Sequence, residues 1–411
     1  MKDKKIYLGI GIVFLLIITI SFSYAYFSIK VSGNDNAKDI VVNAGTLSLV
    51  YTDGPEIKVE NIRPGKTITK EVTVKNTGTL DTNYNIVWQS LINEITNDEL
   101  VLSATCQRLN ASGTVEGKCG SISQSPISDT AIARKISIES GITHKYTFTI
   151  LFKETNANQN YNQGKKFSGV LGIEEYKAPN FATDSWATII ENVRAGNGSE
   201  YAVGSTKEVN LGTTYGTHTL RVANTSTPSE CNTEGFSQSA CGFVLEFVDI
   251  ITKYKMNDSG KNIGGWPASN MYNFVNKTLY NALPSELRSV IIDTVTVSGH
   301  GSTSGETNFT SADKLYLLAP GEVYDDWKTN GSSDDTAKDL TRTLDYYTAQ
   351  GVTTSSYSGA IKKIGSIIVA WWLRSANSNS SYTFYDVYGT GNWYGSAASY
   401  TYGVSPAFRI G

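Results

Sequence analysis

Residues 371–410 read WWLRSANSNSSYTFYDVYGTGNWYGSAASYTYGVSPAFRI, and three textures meet within them. WWLRS (371–375) and GVSPAFRI (403–410) are apolar, strand-like ends. Between them, residues 376–402 hold six Tyr and five Ser among 27 residues, with Asp386 as the sole charge and no Lys, Arg, Glu, Gln, Met, Leu or Ile. A Tyr-rich β-meander with ordinary turns would have this composition. So would a contact surface, because paratopes favour Tyr, Ser, Gly and Asn. The candidate contacts are Tyr382, Tyr385, Asp386, Tyr388, Asn392, Trp393, Tyr394, Tyr400 and Tyr402. Trp371 and Trp372 are neighbours on a strand, so one is expected to point inward and the other outward. Arg374 and Arg409 are expected as framework, tying strands together through carboxylate or carbonyl contacts.

Working outward from this segment, residues 185–411 have an α+β texture. WATIIENVRAG suggests a short helix or strand ending in a turn. YAVGSTKEVNL, HTLRVAN, GFVLEFVDII, SVIIDTVTV, DKLYLLAPG and SIIVAWWLRS suggest strands. GWPASNMYNFVNKTLYNALP predicts a helix, with Pro267 near its start and Met271, Phe274, Val275 and Leu279 on one face. DTAKDLTRTLDYYTAQG predicts a second, with Leu340, Leu344 and Tyr347 on a stripe and Gly351 at its end.

Residues 26–177 differ. TLSLVYT, ITKEVTVKN, NYNIVW, KYTFTILF and FSGVLGIEEY alternate apolar and polar residues between the turn signals TDGP, RPGK and NTGT, the pattern of an all-β sandwich. KAPNFATD breaks the alternation, so residues 178–184 are expected to be a linker. The first 25 residues, with Lys2, Lys4 and Lys5 before the apolar run Ile6–Ile20 and Ser23-Tyr24-Ala25 after it, form a signal-peptide pattern with cleavage after Ala25. The run is shorter than the roughly 20 residues of a spanning helix, and no wall-sorting signal follows.

Net charge is −3, or −5 without those first 25 residues, which argues against a nucleic-acid partner needing a basic face. The four cysteines pair by spacing as Cys106 with Cys119 and Cys231 with Cys241, as expected of an exported chain. Zinc is the competing reading, disfavoured because neither pair is CxxC and His144, His218 and His300 are scattered. No cofactor is expected. Calcium alone has gathered donors, in loops 257–262 and 324–335, and neither follows the D-x-D-x-D-G order. No nucleophile elbow, phosphate loop or metal cluster is present, so the chain is not expected to be an enzyme; an unrecognised hydrolase or oxidase site is the remaining alternative.

On SYAYFS, NAGTLSLVYT and IRPGKTITKEVTVKNTGTLDTNYNIVW, the N-terminal part resembles the camelysin and biofilm-matrix fibre family of secreted bacterial proteins. That resemblance implies a sandwich fold, export and a fibre or surface-layer role. The family is sometimes labelled metalloendopeptidase, but this chain has no HExxH. On GGWPASNMYNFVN, LPSELRSVIIDT, DKLYLLAPGEVY, WWLRS and GVSPAFRI, residues 185–411 resemble an uncharacterised family of bacterial surface proteins with a C-type-lectin-like fold. The WWLRS and GVSPAFRI ends also look like those of formylglycine-generating enzymes and retroelement-diversified receptors. No cysteine follows Cys241, which removes the oxidase pair. Adenine-directed diversification turns AAC or AAT codons into a set lacking Lys, Glu, Gln, Met and Trp. Residues 376–402 lack the first four, leaving Trp393 as a fixed position.

The reading that follows is an exported, multidomain bacterial surface protein: an all-β sandwich, then an α+β, C-type-lectin-like domain binding a protein or glycan. The alternative is a matrix or fibre subunit whose Tyr-rich region packs against the next protomer; self-association through the N-terminal sandwich is a further partner expectation.

Overall fold

Strict alternation in the first half folds as the period-2 rule requires. A computed structural model describes residues 28–33, 40–42, 47–54, 57–60, 62–128 and 131–411, so the signal segment 1–25 lies outside the described residues. The chain divides into two units, Met1–Lys177 and Ala178–Gly411. In the first unit the strands are β1 (Ser28–Gly33), β2 (Ile40–Val42), β3 (Leu47–Asp53), β4 (Ile57–Glu60), β5 (Thr67–Asn76), β6 (Thr82–Asn93), β7 (Leu100–Leu109), β8 (Val115–Pro126), β9 (Ala133–Ile138), β10 (Thr143–Phe152) and β11 (Lys166–Glu175). They form a five-stranded sheet, β4-β1-β11-β6-β9, and a six-stranded sheet, β2-β3-β5-β10-β7-β8. Every second residue of β10 is buried, from His144 to Phe152. One cluster joins Val74, Leu102 and Phe148 of one sheet to Tyr84, Ile86 and Leu171 of the other, so the sheets pack face to face. A disulfide joins Cys106 on β7 to Cys119 on β8.

The second unit is also strand-rich: β12 (Thr206–Asn210), β13 (Thr217–Asn224), β14 (Val244–Phe247), β15 (Thr252–Lys255), β16 (Thr294–Ser298), β17 (Phe309–Asp313), β18 (Lys363–Ile364), β19 (Ile367–Ile368), β20 (Trp371–Ala376), β21 (Thr383–Val387), β22 (Trp393–Ala397), β23 (Thr401–Val404) and β24 (Ala407–Arg409). Two sheets organise it, β12-β13-β14-β24 and β15-β23-β20-β21-β22. GVSPAFRI therefore serves both: its start ends β23, Pro406 breaks the ladder, and β24 joins the other sheet against β14. A second disulfide links Cys231 and Cys241.

Several sequence expectations need correction. Residues 178–184 are no linker: Phe181 is buried and meets Trp186, Tyr201 and Phe243 edge-on or tilted. The helix expected over 335–351 shrinks to Asp345–Ala349. Tertiary partners override helix propensity there. Thr341 donates to Glu322, Arg342 to Asn224 and the Ala240 carbonyl, and Thr343 to the Gly321 carbonyl. DKLYLLAPG is not a strand; β17 ends at Asp313, and Asn276 Oδ1 accepts the backbone N–H groups of Lys314 and Leu315. The helix over 270–282 does form, capped by Ser269 and burying Met271, Val275 and Leu279, with a π-turn at Phe274–Leu279. Among the described residues no helix is long and apolar enough to cross a membrane.

Candidate ligand-binding surface

The Tyr-rich segment continues β20 into a β20–β21–β22 meander and then crosses back to β23, which pairs with β20 and β15, and strand register sorts its residues. Trp372 pairs with Asp386 and Asp386 with Tyr394, while Trp371 pairs with Val387 and Val387 with Trp393. Residues of opposite parity face opposite sides of the sheet. On one side Tyr385 and Trp393 set their rings edge-on to Trp327, at 5.7 and 5.1 Å. The other side carries Trp372, Asp386 and Tyr394. The β21–β22 turn is locked by the Tyr388 N–H donating to the Asn392 carbonyl and the Tyr324 hydroxyl donating to the Gly391 carbonyl. Gly391 has φ 93°, and a Cβ there would lie 2.1 Å from the Tyr357 carbonyl oxygen, so only glycine fits.

Four of the nine candidate contacts are well exposed: Tyr382, Tyr388, Tyr394 and Tyr400, at 54–62%. Asn392, Trp393 and Tyr402 are half-buried. Tyr385 and Asp386 are not at the surface; both have 0% exposure. The Tyr385 hydroxyl donates to Ser332 at 2.9 Å. The expectation of one outward Trp at 371–372 also fails. Both are fully buried, because the sheet is covered on both faces at β20, and their indole N–H groups donate to the carbonyls of Ala360 and Tyr254.

Beside the edge strand β22 lies an open groove of about 670 Å³. Asn377, Ser380, Tyr382, Thr383, Asn392, Trp393, Tyr394 and Gly395 line it, joined by Asn330 and Thr354. None carries a charge. Asn377, Ser380, Thr383 and Gly395 were not among the singled-out contacts although the same polar segment supplies them. Asn330 ends the short helix Trp327–Asn330 and Thr354 lies in a distant loop, and neither carries a local signal.

Three of the second unit's buried carboxylates are held in different states. Glu322 accepts both terminal nitrogens of Arg374 at 2.5 and 2.6 Å, with further hydrogen bonds from Ser239, Thr341 and the Ala319 N–H. Arg374 also donates to the carbonyls of Val297 and Leu317, joining β16 and the 314–318 run to β20. Burial opposes its charge, but Glu322 overrides this and holds the guanidinium pKa above its usual value. Glu246 is held by Arg221 and Lys362 at 2.7 and 2.9 Å. Burial draws the Lys362 ammonium down to about 8, against the pull of Glu246.

Asp386 differs. Neither oxygen receives a well-formed hydrogen bond, and burial pushes its pKa up to about 7. The Ser396 hydroxyl offers partial relief only, since it points to the Tyr402 hydroxyl at 3.3 Å. Arg409 is half-buried with its Nε unpartnered.

Several carboxylates in the loops weighed for calcium accept from protein donors. Asp258 pairs with Lys255 and Asn270, Asp326 with Asn330 and Thr354, and Asp335 with the Trp327 indole. The three histidines do not come together, but one of them lies by a cysteine pair. His144 lies with Cys106 and Cys119, ligand atoms within 4.8 Å, and this is the one such three-residue group among the described residues. Both sulfurs are spent in the disulfide and His144 Nδ1 meets the Tyr84 hydroxyl at 2.9 Å, so this group does not fit a metal.

Two families match the chain. Residues 243–411 match a domain of unknown function, DUF6273, and residues 3–93 match the camelysin metallo-endopeptidase family. The second match overturns the expectation that the chain is not an enzyme, because it points to a protease in the N-terminal part. The family itself was legible in the sequence; its protease label was set aside there for want of HExxH, and residues 3–93 contain neither His nor Cys. No curated protein matches the chain.

Proposed function

We propose that this is an exported cell-surface or matrix protein whose second unit binds a protein or glycan through its Tyr/Ser/Asn-rich surface. The observation that carries this reading is the uncharged groove, eight of whose ten lining residues come from 376–402, among them the exposed Tyr382 and Tyr394. Tyr and Trp rings supply rigid, amphipathic contact area, and Asn and Ser supply adaptable hydrogen bonds. Export is supported by the two disulfides, which persist in oxidising compartments. The C-type-lectin-like fold is our finer reading of the second unit, supported by the last strand β24 returning to pair with β14.

The test is binding to arrayed glycans and to panels of purified surface proteins, comparing the wild type with Tyr382→Ala/Tyr394→Ala. Loss of a specific signal with an unchanged melting transition supports the reading. A signal indifferent to both substitutions overturns it.

A fibre-subunit reading draws on one feature of the first unit. β8 is a 12-residue sheet-edge strand, exposed along nearly all its length. Such an edge is a template for pairing with another chain. Regular filaments of the mature protein in electron microscopy would favour it, and a lasting monomer would count against it.

A further inference from the structure

We propose that Asp386 and the tyrosines around it form a subsite for a guanidinium group, the side chain of an arginine on a protein ligand. The inference rests on the binding-surface reading above and names the chemistry of one part of it. Among the described residues Asp386 is the one buried carboxylate with both oxygens unpartnered. A buried carboxylate in that state is unfavourable unless a donor arrives. Two free oxygens of one carboxylate match the fork of a guanidinium, which donates two parallel hydrogen bonds.

The surroundings add a second requirement that the same group meets. Tyr394 is the cross-strand partner of Asp386, and Tyr388 follows two residues on at the same parity. Their rings lie 6.5 Å apart, so a cation between them sits well within the roughly 6 Å reach of both faces. Tyr402 stands against Trp372 at 4.9 Å and against Tyr400 at 6.0 Å, adding flat apolar area on the same side. The hydroxyls of Tyr388, Tyr394 and Tyr400 hold no hydrogen bond within the described residues, and all three side chains are more than half exposed. Exposed rings change rotamer in picoseconds to nanoseconds, so the Tyr388 and Tyr394 side chains can move to receive a ligand.

The protein already builds this arrangement twice with its own arginines. Arg221 lies 3.6 Å above the Tyr346 ring while pairing with Glu246, and Arg374 pairs with Glu322 beside Tyr316. Asp386 has the carboxylate and the rings without the cation. Arginine serves here better than lysine because it is planar, stacks on aromatic faces and donates bidentately.

The experiment uses the full chain and N-acetyl-arginine amide as probe, with N-acetyl-citrulline amide as its uncharged counterpart and N-acetyl-lysine amide as the point-charge control. Binding is read by calorimetry and by Tyr signals in NMR. The expected result is saturable binding of the arginine probe, weakened about tenfold or more in Asp386→Asn, with the other two probes clearly weaker. Tyr394→Ala should weaken it less. Equal binding of citrulline or lysine, or indifference to Asp386→Asn, would overturn the proposal. If the arginine probe fails while Tyr382→Ala/Tyr394→Ala still abolishes ligand capture, the subsite falls and the binding surface stands. If capture ignores the tyrosines, the surface itself falls.

Discussion

Glu322 and Asp386 sit in the same unit, both with no exposed surface, and their environments are opposite. Around Glu322 the chain supplies a guanidinium, two hydroxyls and a backbone N–H. Around Asp386 it supplies rings. The first arrangement is an internal tie: Arg374 reaches β16, the 314–318 run and the turn holding Ser239 at once. The second leaves a charge-bearing group unsatisfied beneath the exposed tyrosines. A domain able to satisfy one buried carboxylate fully has the means to satisfy another, and the contrast marks Asp386 as the place where stability was not the governing requirement.

The largest expected effect tests the paired side. Arg374→Met leaves Glu322 buried without its cation and should destabilise the second unit by about 3–5 kcal/mol. Six of the seven Trp lie in that unit, so denaturant unfolding followed by Trp fluorescence reads it directly. Adding Glu322→Gln to Arg374→Met should restore part of the loss, because the uncompensated charge is then gone. If the double variant is as unstable as the single one, lost hydrogen bonding rather than the bare charge dominates.

The unpaired side should respond in the opposite sense. The Asp386 carboxyl titrates near 7 in the folded protein against a usual value of 3.8. The folded state therefore holds its proton longer than the unfolded chain does. Stability from this group is complete below about pH 4 and is lost as pH rises through about 7. Asp386→Asn should flatten that decline and leave the variant more stable than wild type at pH 8 by about 2–4 kcal/mol, the scale of a three-unit shift. Equal stability at pH 8 would mean that solvent or a cation already satisfies the carboxylate.

Much of the architecture was legible because it depends on local pattern. β5 and β10 announce themselves by alternation, and the 270–282 helix by Ser269 and the apolar stripe 271, 275, 279. The local cysteine spacing led to the pairs that the structure joins. What failed depends on partners far along the chain. Residues 335–344 carry a helical stripe but are held by Glu322, Asn224 and the Gly321 carbonyl instead. Tyr385 and Tyr388 are alike in composition; strand parity and Trp327, 58 residues before Tyr385, decide that one is core and the other surface. No periodicity shows that Asp386, alone among 27 residues in carrying charge, is the one buried carboxylate among the described residues with neither oxygen partnered.

The smallest expected effect separates surface tyrosines from core ones. Tyr388→Ala and Tyr394→Ala remove rings that are 54% and 62% exposed and touch each other at 6.5 Å. Each should change stability by no more than about 0.5 kcal/mol, the range of ordinary surface substitutions. A loss well above that would mean the two rings shield Asp386 from water as a structural lid, and the pH profile decides between the cases. If the rings act as a lid, removing them hydrates the carboxylate, lowers its pKa and weakens the decline in stability between pH 4 and 7, as Asp386→Asn does. If they are contact residues only, that decline survives their removal, because Trp372 and Tyr402 still bury the carboxylate from the other side.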